Sequence, residues 1–64
     1  MANFWRRISR ILIENGWVII REGKGSHQIW GNPEKPNHIS VPSNLKSRHT
    51  ANNILKQAGI PKSF

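Results

Sequence analysis

Apolar positions recur at helical spacing near the start of the chain. Phe4, Ile8, Ile11 and Leu12 are separated by four, three and one residues, which aligns them on one face of a helix spanning about residues 3–15. Arg6, Arg7 and Arg10 fall off that stripe. Asn3 is placed to cap this helix, and Gly16 suits the left-handed conformation that ends one, with Trp17 folding back on Leu12. The stretch Ile54-Leu55-Lys56-Gln57-Ala58-Gly59-Ile60 repeats the punctuation of Ile11 to Trp17: Ile-Leu, three residues, Gly, an apolar residue. Gly59 is then a second helix-ending glycine, Ile60 returns to Leu55, and Pro61 forbids continuation. The preceding residues do not match, so the likeness is one of capping physics and not an internal repeat.

Between these helices the period shifts toward two. Residues 17–22 (Trp-Val-Ile-Ile-Arg-Glu) are rich in β-branched and aromatic side chains, Gly23-Lys24-Gly25 is turn chemistry, and residues 26–30 read as the returning strand of a hairpin. A third strand is expected at about residues 38–41, ended by Pro42. The link at residues 31–37 contains Pro33 and Pro36, which remove ladder donors, so it is a hairpin loop. Residues 43–49 are polar and basic, and Ser47 or Thr50 caps the second helix. The order is α-β-β-β-α in a single domain spanning residues 1–64. A three-stranded antiparallel sheet with both helices on one face is the simplest way to bury both stripes. That α+β outline is the one found in double-stranded-RNA-binding domains.

Composition narrows what such a domain does. A chain of 64 residues has a thin core and no room for a deep enclosed cavity, which favours a macromolecule read by an open surface. Ten Lys and Arg against three acids give a net charge of +7, and phosphate backbones are the natural partners of such a field. The cations are dispersed, without the basic cluster beside an apolar stripe that a membrane surface favours, and no apolar run approaches a membrane span. With charges where a signal peptide would carry its apolar segment, a cytoplasmic location is expected. Cysteine is absent, so neither a disulfide framework nor a thiolate metal site exists.

The segment that carries chemistry is Gly23-Lys24-Gly25-Ser26-His27. RNA is cut when its own 2′-hydroxyl attacks the adjacent phosphate, so an enzyme need only remove one proton, supply another and stabilise the crowded negative charge. Histidine titrates nearest neutral pH of all side chains, which suits His27 to either proton transfer. Lys24 and the backbone N–H groups of Gly25 and Ser26 are placed to hold phosphate oxygens, because glycine lets the backbone approach closely. The Ser26 hydroxyl can orient the phosphate or the imidazole. No cofactor or metal is expected: Glu14, Glu22 and Glu34 are too few and too scattered for a metal-dependent nuclease, and the three histidines lack ligand spacing.

A helix ending in Asn-Gly-Trp, a hairpin with Gly-Ser-His followed by Gln-Ile-Trp, a strand reading Ile-Ser-Val-Pro and a helix reading Ile-Leu-Lys-Gln-Ala-Gly-Ile together resemble the HicA toxins of toxin–antitoxin pairs. The resemblance covers nearly the whole chain. It implies an mRNA interferase of double-stranded-RNA-binding-like fold, an essential histidine at His27, RNA as substrate and inhibition by an antitoxin of the HicB type. The chain departs from the family in one place. Many members carry a histidine just after the proline that ends the third strand, where Pro42 is here followed by Ser43 and Asn44, leaving only His38 or His49 as replacements.

Other readings stay open on the residues alone. By strict alternation His27 shares a face with Ile29, and Ser26, Gln28 and Trp30 share the other, so His27 points either outward or toward the helices. Trp5, Trp17 and Trp30 are either core or base-stacking platforms, Trp30 being the best candidate for stacking because its face also carries Ser26 and Gln28. Gly23-Lys24-Gly25-Ser26 lacks the earlier glycine of a P-loop, and no helix follows it. The chief alternative to a nuclease is a non-catalytic module that reads A-form RNA through phosphates and 2′-hydroxyls. Such modules carry a basic cluster at the start of the last helix, where this chain is expected to have Ala51, Asn52 and Asn53, which favours the nuclease. A DNA-binding helix-turn-helix ranks below both, since the central segment reads as strands.

Overall fold

The chain folds as α1 (Trp5–Glu14), β1 (Val18–Glu22), β2 (His27–Gly31), β3 (Ile39–Pro42) and α2 (Arg48–Gln57) in a computed structural model that describes residues 3–23 and 25–64. The strands form one antiparallel sheet in the order β1-β2-β3, and both helices cover the same face, giving the α-β-β-β-α architecture of the double-stranded-RNA-binding type. None of the helices is long and apolar enough among the described residues to cross a membrane.

Both helices end in the same way. Trp17 N–H donates to Leu12 O at 2.9 Å and Gly16 N–H to Ile13 O at 3.1 Å, while Ile60 N–H donates to Leu55 O at 2.8 Å and Gly59 N–H to Lys56 O at 3.1 Å. These are paired Schellman motifs, with Gly16 at φ 89° and Gly59 at φ 74° in the left-handed region. Alanine at Gly16 is expected to cost about 1–2 kcal/mol, since an L-residue is strained there. The loss at Gly59 should be smaller. A Cβ on Gly16 meets Asn32 Nδ2 at 3.3 Å, and Asn32 is held by hydrogen bonds, whereas a Cβ on Gly59 meets only the mobile end of Lys35. Denaturant midpoints of the two variants check the ranking, and a larger loss at Gly59 would refute it.

At the helix starts the structure adjusts the sequence reading. Phe4 occupies the cap position of α1 and donates its N–H to Leu45 O at 2.6 Å, while Asn3 Oδ1 accepts the Trp5 N–H at 3.0 Å. Ser47, not Thr50, caps α2: its hydroxyl accepts the Thr50 N–H at 3.2 Å. The helix therefore begins at Arg48, and Lys46, Arg48 and His49, instead of Ala51, Asn52 and Asn53, flank its start. The expectation of a helix start without basic residues is overturned, because the cap sits one turn earlier than the run of small and amide side chains.

The core lies between the sheet and the helices. Ile8 and Leu12 of α1, Trp17, Trp30 of β2, Ile39 and Val41 of β3, and Ala51, Ile54 and Leu55 of α2 form one buried cluster, joined by Leu45 from the β3–α2 connection. Trp30 is buried, so its expected role as a base-stacking surface is corrected: it is core. The β2–β3 loop is fixed by Asn32, whose amide donates to Asn15 O at 3.0 Å at the end of α1 and whose Oδ1 accepts the Glu34 N–H at 2.9 Å. The Phe64 ring meets Phe4 edge-on at 5.3 Å and the Arg7 guanidinium at 4.6 Å, and its backbone pairs with both amide atoms of Asn52. These contacts bridge the two helices.

Candidate active site

The β1–β2 turn passes through Gly25, left-handed at φ 63°. Among the described residues no atom lies within 4 Å of a Cβ placed on it, so the turn backbone is open to a ligand. Gly23 N–H donates to His27 O at 2.8 Å, closing the hairpin, and Ser43 N–H donates to Ser26 O at 2.7 Å, tying the turn to the residue after β3. Gly25, Ser26 and His27 are all exposed. Lys24 lies outside the described residues.

The register decides which way His27 faces. Gln28 and Trp30 stand opposite Val41 and Ile39, both buried under the helices, so this is the inner face of β2. His27, opposite Pro42, alternates to the open face with Ile29. The polar Gln28 tolerates the inner face because its Oε1 accepts the Trp5 Nε1–H at 2.9 Å, which fastens the first turn of α1 beside His27. This contact was not legible in the sequence.

Three exposed cations lie at one end of the molecule. The Phe4–Leu45, Ser43–Ser26 and Trp5–Gln28 hydrogen bonds bring the start of α1, the β1–β2 turn and the segment leading into α2 together. Both helices thus direct their N-terminal, electropositive ends toward the region of His27, and neither carries an acidic residue in its first turn. Arg6 lies there too, lining a shallow depression with Asn3 and Trp5, and exposed Lys46 and Arg48 flank the start of α2. The cations at residues 46 and 48 were missed as a group because Ser47 and Thr50 both read as caps.

The remaining histidines are not equivalent to His27. His38 lies beside Gly31, with its Cδ2 3.3 Å from where a Cβ on that glycine would stand. Gly31 is four residues along β2 from His27, about 13 Å at the rise of a strand, which excludes a joint proton transfer. His49 lies in the first turn of α2, in a groove with Asn52, Asn53, Lys56 and Lys62. Ser43, half-buried, is the residue brought directly to the Gly-Ser-His turn. Among the described residues no three His, Asp or Glu side chains gather as a metal-ligand set.

The pattern of these elements is that of a known family: residues 5–60 match the model described as the HicA toxin of bacterial toxin-antitoxin. The chain belongs to the HicA toxin family. No curated protein and no solved structure matches it. Membership makes the chain the toxin of a toxin–antitoxin pair, and the family implies an antitoxin partner and an RNA substrate.

Proposed function

We propose that this HicA toxin is a metal-independent endoribonuclease that cleaves mRNA in the cytoplasm, with His27 as the proton-transfer group. The observation that carries this reading is the exposure of His27 on the open face of the sheet, at the end where both helix N-termini and Arg6, Lys46 and Arg48 gather. In the reaction the 2′-hydroxyl attacks the adjacent phosphorus, the bond to the 5′-oxygen breaks, and a 2′,3′-cyclic phosphate and a 5′-hydroxyl form. His27 carries one of the two proton transfers and solvent the other. The N–H groups of Gly25 and Ser26, with Lys24, hold the phosphate oxygens as charge builds. An antitoxin of the HicB type restrains the enzyme by covering His27 and the neighbouring cations; in the complex His27 is then shielded from imidazole-modifying reagents, and free reactivity would refute that placement.

One observation supports a second reading. Lys46, Arg48 and His49 flank the start of α2, the place where a double-stranded-RNA-binding module carries its basic cluster. The two readings part in a single experiment: RNA incubated with the toxin in EDTA. Cleavage is the expected result. Salt-sensitive binding that leaves the RNA intact would establish the non-catalytic module instead.

A further inference from the structure

We propose that the free edge of β1 receives an extended strand from an acidic protein partner, which joins the sheet as a fourth strand. Among the described residues β1 pairs only with β2, so its outer edge presents backbone donors and acceptors with no strand partner there. Val18, Ile19 and Ile20 are 56%, 43% and 49% exposed. Edge strands are ordinarily protected by charged side chains, proline, bulges or brevity; this one opens with three consecutive β-branched residues and places its charges, Arg21 and Glu22, only at the far end, past the bulge. The other edge differs. β3 buries Ile39 and Val41 and ends on Pro42.

The apolar surface is fitted to the open face. A bulge between Ile19 and Arg21 throws Ile20 across the sheet, where its Cδ1 occupies the space that a Cβ on Gly31 would need. Val18, Ile20, Gly31, Pro33 and His38 then line a shallow hollow beside the edge.

The chemistry of the patch selects the occupant. RNA gains little from aliphatic side chains, since bases stack on aromatic ones and phosphates seek cations. A second copy of the chain would set +7 against +7. An acidic partner meets the opposite field and finds Arg21 within the strand itself. Its strand alternates apolar residues, which cover Val18 and Ile20, with Glu or Asp, and main-chain hydrogen bonds supply the pairing. Running along β1 toward Glu22, it arrives at the hairpin that carries His27. The proposal rests on the reading above that a protein partner restrains this toxin, and it adds a grip on β1 to that partner's cover over His27.

The test titrates isotope-labelled toxin with a nine-residue peptide alternating Val or Ile with Glu, followed by nuclear magnetic resonance. Amide signals of Val18–Glu22 are expected to shift, and their hydrogen exchange to slow at least tenfold. The same peptide with Lys for Glu, or with prolines that remove its donors, should not bind. Val18→Lys and Ile20→Lys should abolish the response while free-toxin RNA cleavage is unchanged. Shifts confined to other elements, equal binding of all three peptides, self-association through β1, or the same β1 shifts with an RNA oligonucleotide would each overturn the proposal. The readout uses no catalysis, so an inactive nuclease would leave this result standing, and a silent β1 would leave the cleavage assay standing.

Discussion

Replacing His27 by alanine is expected to lower RNA cleavage in chelator by about 10²–10⁴-fold, the contribution of a positioned proton-transfer group. The fold should not notice. The side chain is exposed, makes no hydrogen bond described for it, and lies on the face of β2 that the helices do not cover, so the stability change should stay within about 0.5 kcal/mol. That separation makes the variant informative: matched melting curves with lost cleavage assign the chemistry to His27. Undiminished cleavage by clean, folded His27→Ala would remove the imidazole from the mechanism. RNA affinity should change little, because the proposed phosphate contacts are made by the turn backbone and by cations at the helix starts.

The contrast between helix ends and strand faces shows which features the sequence carries by itself. Gly16 and Gly59 were readable because a Schellman motif is written within six residues, and no distant contact is needed to make a left-handed glycine the favoured stop. The strand faces were harder. Alternation grouped Gln28 with Trp30 correctly, yet it carries no sign, and a glutamine beside a tryptophan reads as an outward face. The sign is set by Trp5, twenty-three positions earlier, whose indole satisfies the Gln28 amide and lets that face turn inward. The two expected hairpins already imply that β1 is an edge strand, but a run as apolar as Val-Ile-Ile does not announce that all five residues of β1 are exposed. Leu45 and Asn32 were invisible for a related reason: each is a single residue in a polar segment whose partner, Phe4 or Asn15, comes from α1 or its end.

For the candidate site, the motif and the family pattern located the turn, and the register added its orientation. Ser43 occupies the position at which the family resemblance led one to look for a second histidine, and its N–H is bonded to Ser26. A histidine there would flank His27. In this chain the pairing leaves His27 opposite Pro42, a residue with nothing to donate or accept in proton transfer. His38 is removed by the length of β2. In the proposed reaction, the proton not carried by His27 is therefore assigned to solvent at this open surface.

Trp30→Ala is expected to remove about a third or more of the domain's stability, and at the low end all of it. Truncating a buried Trp costs about 3–5 kcal/mol through lost burial and the cavity left behind, and Trp30 is 1% exposed on β2, which among the described strands has neighbours on both sides. At roughly 0.05–0.15 kcal/mol per residue a domain of 64 residues holds only about 3–10 kcal/mol in all. Trp30→Phe should lose well under half as much. It keeps most of the ring volume and removes an indole Nε1–H that has no hydrogen-bond partner among the described residues, so no bond is sacrificed. Circular dichroism against denaturant reads both variants. Had Trp30 served as a platform for a base, alanine there would leave the melting curve in place and weaken RNA binding by about 1–3 kcal/mol. A folded Trp30→Ala protein with that loss of affinity would overturn the assignment of Trp30 to the core. Two facts favour the core: Trp30 belongs to the buried cluster shared by the sheet and both helices, and at 1% exposure it offers no ring face to a base unless that core opens.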